Sequence, residues 1–161
     1  MGILGAKLPG LLHQIRLIEP QTYIEIGCYR CDTMREVRAL GVPRIIGFDL
    51  FETAPQHEEA PLDGPPITFE DAQKEFEVYK GDTNETLKIL QTLQLESPVV
   101  VFIDGGHSFK TTLRDIEQVR EYLPNATLLI DDISMPGVKM AMEASGLKWN
   151  VVGLETAKFV P

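Results

Sequence analysis

A parallel α/β sandwich with right-handed crossovers is the fold class that this 161-residue sequence predicts. Three observations predict it. Short apolar stretches with strand character alternate with amphipathic helical stretches along the chain. Val99–Ile103 is apolar throughout, which suits a strand covered by helices on both faces. Acidic residues fall in or just beyond the carboxyl ends of the strands, the edge at which open α/β sheets bind ligands.

The elements follow in order. Leu8, Leu11, Leu12, Ile15 and Ile18 recur at helical spacing, with Pro20 as a stop, so residues 1–20 hold an amphipathic leading helix. The run TYIEI reads as a strand ending at Gly27. Thr33 with Glu36 forms a capping-box pair, and Met34, Val37 and Leu40 supply the apolar face of the helix it opens. Gly41 ends that helix, and Arg44–Phe48 is a second buried strand closing at Asp49. Residues 51–67, with Pro55, Pro61, Pro65 and Pro66, read as a long exposed loop.

Thr68–Phe76 is expected to be a short helix with Thr68 and Asp71 as its cap pair. Glu77–Lys80 is a weak strand leading to Gly81 and Asp82, and Asp82 with Glu85 caps a helix carrying Leu87, Leu90 and Leu93. After Val99–Ile103, a helix shows Leu113, Ile116, Val119 and Leu123 at helical spacing, broken by Pro124 and Asn125. Thr127–Ile130 is the next strand, ending at Asp131 and Asp132. Pro136 suits the first turn of a helix running to about Ser145, with Gly146 beyond it. Residues 148–160 have β character with a turn near Glu155, as in a closing antiparallel hairpin.

Length allows one domain, residues 1–161, burying roughly 70% of its unfolded surface. The formal net charge of −9 and the lack of a basic stripe with interleaved aromatics argue against a nucleic-acid partner. No apolar run approaches the ~20 residues a bilayer requires. The first residues, MGILGAKLPG, lack a signal-peptide pattern, and Ala6 breaks the myristoylation pattern. With Cys28 and Cys31 the only cysteines, the chain reads as cytoplasmic, with no membrane partner.

The chemistry-bearing stretches lie at strand ends. EIGCYRCDT joins the first strand to its helix, and Asp49 follows about 20 residues later, the spacing at which an acid reaches ribose hydroxyls in nucleotide-binding βαβ units. The GxGxxG fingerprint is absent, since Cys28, Tyr29 and Cys31 occupy the loop. That disfavours a pyrophosphate cofactor and leaves room for a nucleoside without phosphates. Singly, each of Glu25, Asp49, Asp82, Asp104, Asp131 and Asp132 has a plain reading as a cap or turn residue. Together they line one edge.

The sequence resembles the class I S-adenosylmethionine-dependent methyltransferases through EIGCYRC, IIGFDLF, KGD and VVVFIDGGHSFKTTLRDI followed by LLIDDI. Within them it looks like the small family related to macrocin-type and rhamnosyl O-methyltransferases, marked by Asp-Gly-x-His and a later Asp-Asp pair. The resemblance implies a Rossmann-like sandwich, mostly parallel, with a C-terminal antiparallel hairpin and helices on both faces. It implies S-adenosylmethionine as cofactor and a small-molecule methyl acceptor, a sugar or phenol-like hydroxyl.

It assigns cofactor contacts to Glu25, Gly27, Cys28, Asp49, Leu50, Asp82 and Asp104. Glu25 and Gly27 would frame the methionine part, Asp49 the ribose, and Asp82 the adenine amino group. Asp104, Asp131 and Asp132 would hold a divalent cation such as Mg²⁺, and His107 would be the general base. The sequence departs from the family at Cys31, where a small residue or glycine is usual. The chemistry agrees: converging carboxylates repel one another unless one protonates or a cation lies among them. Oxygen-only ligands favour Mg²⁺, Ca²⁺ or Mn²⁺. An imidazole, with a reference value near 6.5, suits proton removal at neutral pH.

Two readings compete with this one. Cys28-Tyr29-Arg30-Cys31, after a strand and at a helix start, matches a thiol-redox protein. A domain that binds S-adenosylmethionine without catalysis is the other, since the chain is short and carries no clear substrate lid. A homo-oligomer is compatible with either.

Overall fold

The strands of the expected sandwich form, and the central ones do so because their apolar runs are buried on both faces and end where a turn residue stands. The computed structural model describes residues 4–52 and 65–161. Its strands are β1 (Thr22–Ile26), β2 (Arg44–Asp49), β3 (Glu77–Lys80), β4 (Val99–Ile103), β5 (Thr127–Ile130), β6 (Asn150–Val151) and β7 (Ala157–Phe159). They make one seven-stranded sheet in the order β3-β2-β1-β4-β5-β7-β6. β1 to β5 are mutually parallel, whereas β7 runs antiparallel to β5 and to β6. The order steps outward from β1 to β2 and β3, then returns to β4 on the other side. The reversal opens a crevice at the carboxyl ends of β1 and β4, the position at which such sheets bind ligands.

Helices cover both faces. β1 is buried at every position, so its side chains alternate between two cores. Ile24 and Ile26 join Ile116, Val119, Val138 and Ala141, together with Leu87 and Leu90. These belong to α5 (Phe109–Tyr122), α6 (Pro136–Ala144) and a 3-10 turn over Leu87–Gln91 that follows the short α4 (Thr83–Thr86). Tyr23, on the opposite face, joins Leu11, Ile15, Met34, Val37, Ala72 and Phe76. Those come from α1 (Leu4–Ile18), α2 (Asp32–Ala39) and the end of α3 (Phe69–Glu75). The mostly parallel sandwich with its C-terminal antiparallel hairpin is the architecture the sequence predicts.

Local details depart from expectation in three places. α2 is not opened by the Thr33–Glu36 box: its N-cap is Cys31, in a left-handed conformation at φ 61°, and no side chain caps it. Thr33 lies inside the first turn, too late to cap. Asp82 does cap, accepting from Asn84 N–H at 2.8 Å, but the helix behind it lasts only to Thr86 before tightening into the 3-10 turn. In the long loop expected over residues 51–67, positions 53–64 lie outside the described residues. At its start Phe51 is buried and packs on Phe69, with ring centroids 5.3 Å apart, so the edge of this segment is anchored rather than exposed.

Candidate functional site

Strand register carries the acids to one edge. Ile26 pairs with Phe48 and with Ile103, and Ile103 pairs with Ile130. One step further, Gly27, Asp49, Asp104 and Asp131 form a row across four neighbouring strands. Backbone bonds hold that row together: Gly27 N–H donates to Phe48 O at 2.8 Å, Asp104 N–H to Ile26 O at 2.8 Å, and Asp131 N–H to Ile103 O at 3.0 Å. Side-chain alternation puts the row on the same face as Glu25, Phe102 and Leu129 two residues earlier.

Gly27 is required by this closeness. Its φ is +92°, and a Cβ there would lie 2.3 Å from the Asp104 carbonyl oxygen. The missing side chain makes room for the tip of β4, so the glycine brings two strand ends together. Asp49, at the end of β2, receives Tyr29 N–H on Oδ2 at 2.9 Å and Phe51 N–H on Oδ1 at 2.7 Å. Two loop amides thus aim the carboxylate while each oxygen keeps a lone pair for a further donor. Leu50 beside it is half exposed.

Glu25 is sealed beneath the loop, 2% exposed, and accepts the Tyr23 hydroxyl at 2.6 Å. Burial pushes its carboxyl well above the usual carboxylate range, and the charges of Asp104 and Asp49 push the same way. Cys28 is buried at the start of the loop, with its thiol 3.6 Å from Phe48 O. Asp82 stands apart from this group. Its Oδ1 caps α4 and meets Arg114 Nη2 at 3.0 Å, on an exposed rim.

At the β4 and β5 ends, the ligand-type atoms that meet are those of Asp104, His107 and Asp132, all within 4.8 Å of one another. Asp131 is not in this group. It continues the alternation of β5, turns into the core at 2% exposure, and takes the Thr156 hydroxyl on Oδ1 at 3.3 Å. Asp132 escapes the strand through a left-handed backbone, φ 54°, and its Oδ2 lies 2.8 Å from His107 Nε2. The expected ligand set was Asp104, Asp131 and Asp132; the atoms that meet are those of Asp104, His107 and Asp132.

The turn carrying Asp132 is braced from the hairpin, since Ile133 N–H donates to Glu155 O and Ser134 N–H to Glu155 Oε2. The turn carrying His107 is braced by α6. A Cβ on Gly137 would lie 2.3 Å from the His107 carbonyl oxygen, so only glycine lets the first turn of α6 approach.

Sequence reasoning missed Asp115. This aspartate of α5 is 1% exposed, accepts the Thr83 hydroxyl at 2.6 Å and lies under the Gly105 backbone. Burial raises its pKa to about 6. A signal was present: Thr112, Asp115, Ile116 and Val119 share one helical stripe, so a carboxylate was written onto a core face.

A three-layer sandwich of this topology, with an acid ending β2 and an acidic cluster at β4 and β5, defines a methyltransferase-type α/β domain. The family model described as a methyltransferase domain matches residues 24–133, and the chain belongs to that family. No curated protein matches the sequence. Among solved structures, an O-methyltransferase from Bacillus cereus in complex with SAH is similar at TM-score 0.63 and 15% identity, covering 100% of this chain and 82% of that one. CalS11, a TDP-rhamnose 3′-O-methyltransferase in calicheamicin biosynthesis, is similar at TM-score 0.62 and 18% identity, covering 95% and 76%. A structure titled cmcI-D160 Mg-SAM is similar at TM-score 0.59 and 16% identity, covering 95% and 70%. At these identities the likeness is one of fold. Family membership places Cys28 and Cys31 in the loop of a methyltransferase domain, and not in a thioredoxin-like protein. Among the described residues, no helix is long and apolar enough to cross a membrane.

Proposed function

We propose that the protein is an S-adenosylmethionine-dependent O-methyltransferase acting on a small-molecule hydroxyl, sugar or phenol-like, with a divalent cation at its site. The observation that carries the reading is the meeting of Asp104, His107 and Asp132 within 4.8 Å, beside the row that contains Asp49. The structural neighbours support it by their own descriptions: one is in complex with SAH, one is described with Mg-SAM, and one is a TDP-rhamnose 3′-O-methyltransferase.

The residues fit the cofactor. Asp49, already aimed by two amides, would accept from the ribose hydroxyls, with Leu50 covering the adenine. The charges of Asp104 and Asp49 add to the burial that holds the Glu25 carboxyl high, so a ligand bearing positive charge relieves that repulsion. S-adenosylmethionine carries an ammonium and a sulfonium. Gly27 and Cys28 would border its methionine end with backbone, and Glu25 would act from beneath. Asp82, which caps α4 and pairs with Arg114, would contribute at the adenine rim.

The donor set also fits a cation. Two carboxylates at the cluster suit Mg²⁺ or Mn²⁺ with water completing the shell. Asp104 and Asp132 would be the ligands, with Asp131 holding the turn from behind through Thr156. A cation there would lower the pKa of an adjacent hydroxyl. His107 would accept the hydroxyl proton, with its ring oriented by Asp132, and general-base assistance of this kind contributes roughly 10²–10⁴ in rate. A cytoplasmic setting is the one proposed.

Calorimetry with S-adenosylhomocysteine tests the cofactor half, and no heat at millimolar ligand would sink it. Methyl transfer to a panel of sugars and catechols, abolished by chelator and restored by Mg²⁺ or Mn²⁺, tests the rest.

A further inference from the structure

Two thiols in the loop between β1 and α2 have no part in the chemistry just described. Cys28 and Cys31 bracket a tight turn in which Cys31 N–H donates to Cys28 O at 2.7 Å. A turn closed in this way holds its first and fourth Cα atoms within about 7 Å, inside the reach of a disulfide. The side chains turn into the same buried cluster, and each thiol shifts the pKa of the other. Both cysteines are free and buried. Tyr29, between them, is exposed, with a left-handed backbone at φ 47°, and Cys31 is left-handed at φ 61°. Non-glycine residues pay for such conformations, so the turn is held by its surroundings rather than by its own preference.

The surroundings are specific. Cys28 Sγ sits in a notch where a Cβ on Gly47 would approach to 2.6 Å, and it points at the carbonyls of Glu25 and Phe48. Arg35 donates to Arg30 O at 3.0 Å and is itself clamped by Glu75 at 2.7 and 2.9 Å. Cys31 lies at the start of α2 with this guanidinium near it, and the Cys28 hydrogen bond together with Arg35 lowers its thiol pKa while Cys28 is pushed up. The two thiols thereby differ in acidity, and because both are buried the loop must open to admit an oxidant.

We infer that Cys28 and Cys31 form a reversible intrachain disulfide, and that its closure weakens cofactor binding by redrawing the turn that aims Asp49. The second half rests on the proposed function. The link is direct: Tyr29, inside the turn, supplies the amide that holds Asp49 Oδ2. Closing the bridge removes the Cys28 thiol from its carbonyl partners and shifts that amide. With hydrogen peroxide as oxidant, the Cys31 thiolate attacks the O–O bond, forming a sulfenic acid and releasing hydroxide, which takes up a proton. The Cys28 sulfur then displaces the sulfenic oxygen, the S–S bond forms and water leaves. Two thiols lose two protons and two electrons, and the peroxide becomes two waters. A low-molecular-weight thiol reverses the bond by exchange.

The test treats the full chain with hydrogen peroxide, then with dithiothreitol, and reads intact mass and S-adenosylhomocysteine affinity. Expected is a mass lower by two hydrogens, restored by dithiothreitol and absent in Cys28→Ser and Cys31→Ser. Affinity is expected to fall roughly tenfold on oxidation, the scale of one lost hydrogen bond to a charged group. A mass that does not fall, or a gain of oxygen atoms instead, overturns the disulfide. Unchanged affinity in the oxidised protein overturns the coupling. If the serine variants do not fold, alkylation of the wild type decides: two blocked cysteines after peroxide support the bridge, and two alkylated ones overturn it. Should the reduced protein bind no S-adenosylhomocysteine, the cofactor reading and the coupling fall together, while the mass still decides the disulfide.

Discussion

His107 Nε2 lies 2.8 Å from Asp132 Oδ2, joining the β4 turn to the β5 turn across the sheet edge. Neither residue reaches the other by strand geometry. Asp132 leaves β5 through a left-handed backbone, and His107 is carried over by a turn packed on Gly137. The contact is thus built from two loops that helix α6 and the hairpin hold in place. It orients one ring nitrogen and leaves the site with an imidazole beside two carboxylates.

Replacing that ring separates binding from turnover. In His107→Ala, S-adenosylhomocysteine affinity should stay within about twofold while the methylation rate falls roughly 10²–10⁴-fold, the range of general-base assistance. Calorimetry and a turnover assay on the same preparation check it. Equal loss in both would mean that His107 only shapes the turn.

The two neighbouring aspartates should fail differently. Asp132→Asn should abolish the cation dependence of turnover and leave the fold intact, because Asp132 sits at the edge of the sheet. Asp131→Ala removes a buried carboxylate and strands the Thr156 hydroxyl, at a cost of about 1–3 kcal/mol in stability. Thermal unfolding and metal titration, run side by side, distinguish them. Matching loss of stability in both would contradict the separation of roles.

Asp49→Ala should weaken S-adenosylhomocysteine roughly 10–100-fold, since hydrogen bonds to a charged group contribute about 1.5–3 kcal/mol. Asp82→Ala should weaken it less, because Asp82 is engaged with Arg114 on an exposed rim, and should cost α4 its cap. The order of the two affinities is the readout; Asp82 as the larger effect would move the nucleoside site outward.

Asp115 makes stability depend on pH in a stated direction. Its folded pKa, about 6, stands above the usual 3.8, so its contribution is complete below about pH 4 and is lost as pH rises through 6. Desolvation dominates, Thr83 and Arg114 oppose it, and Asp82 adds to it. Asp115→Asn keeps an acceptor for the Thr83 hydroxyl and has no charge to bury. Relative to wild type, it should gain up to about 2–3 kcal/mol between pH 4 and pH 7. Urea unfolding at the two pH values measures this, and parallel curves would refute it.

Gly137→Ala tests the brace under His107. A Cβ at 2.3 Å from a carbonyl oxygen forces α6 and the His107 turn apart, costing roughly 1–3 kcal/mol. Turnover should fall more than cofactor affinity, because Asp49 lies two strands away. A variant with normal turnover would show that the turn does not need this contact.

The acids at the strand ends were legible in residue order. Asp49 and Asp104 could be read as strand-end acids because a buried strand announces its own end: apolar residues stop where the backbone reaches water. The parallel sheet and its right-handed crossovers follow from the alternation of strands and helices, whereas the strand order does not. The membership of the acidic cluster could not be read in this way. Asp131 and Asp132 are chemically alike and adjacent, and only the left-handed turn at Asp132 decides which one reaches His107. Asp115 and Gly137 act through neighbours brought from other elements, as does the Cys31 cap, whose turn is held by Arg35 and Glu75. Sequence by itself determined the sandwich and the edge on which its acids fall, because hydrophobic periodicity and strand ends are local. Tertiary structure decided which side chains meet there, because backbone turns and packing across the sheet are not.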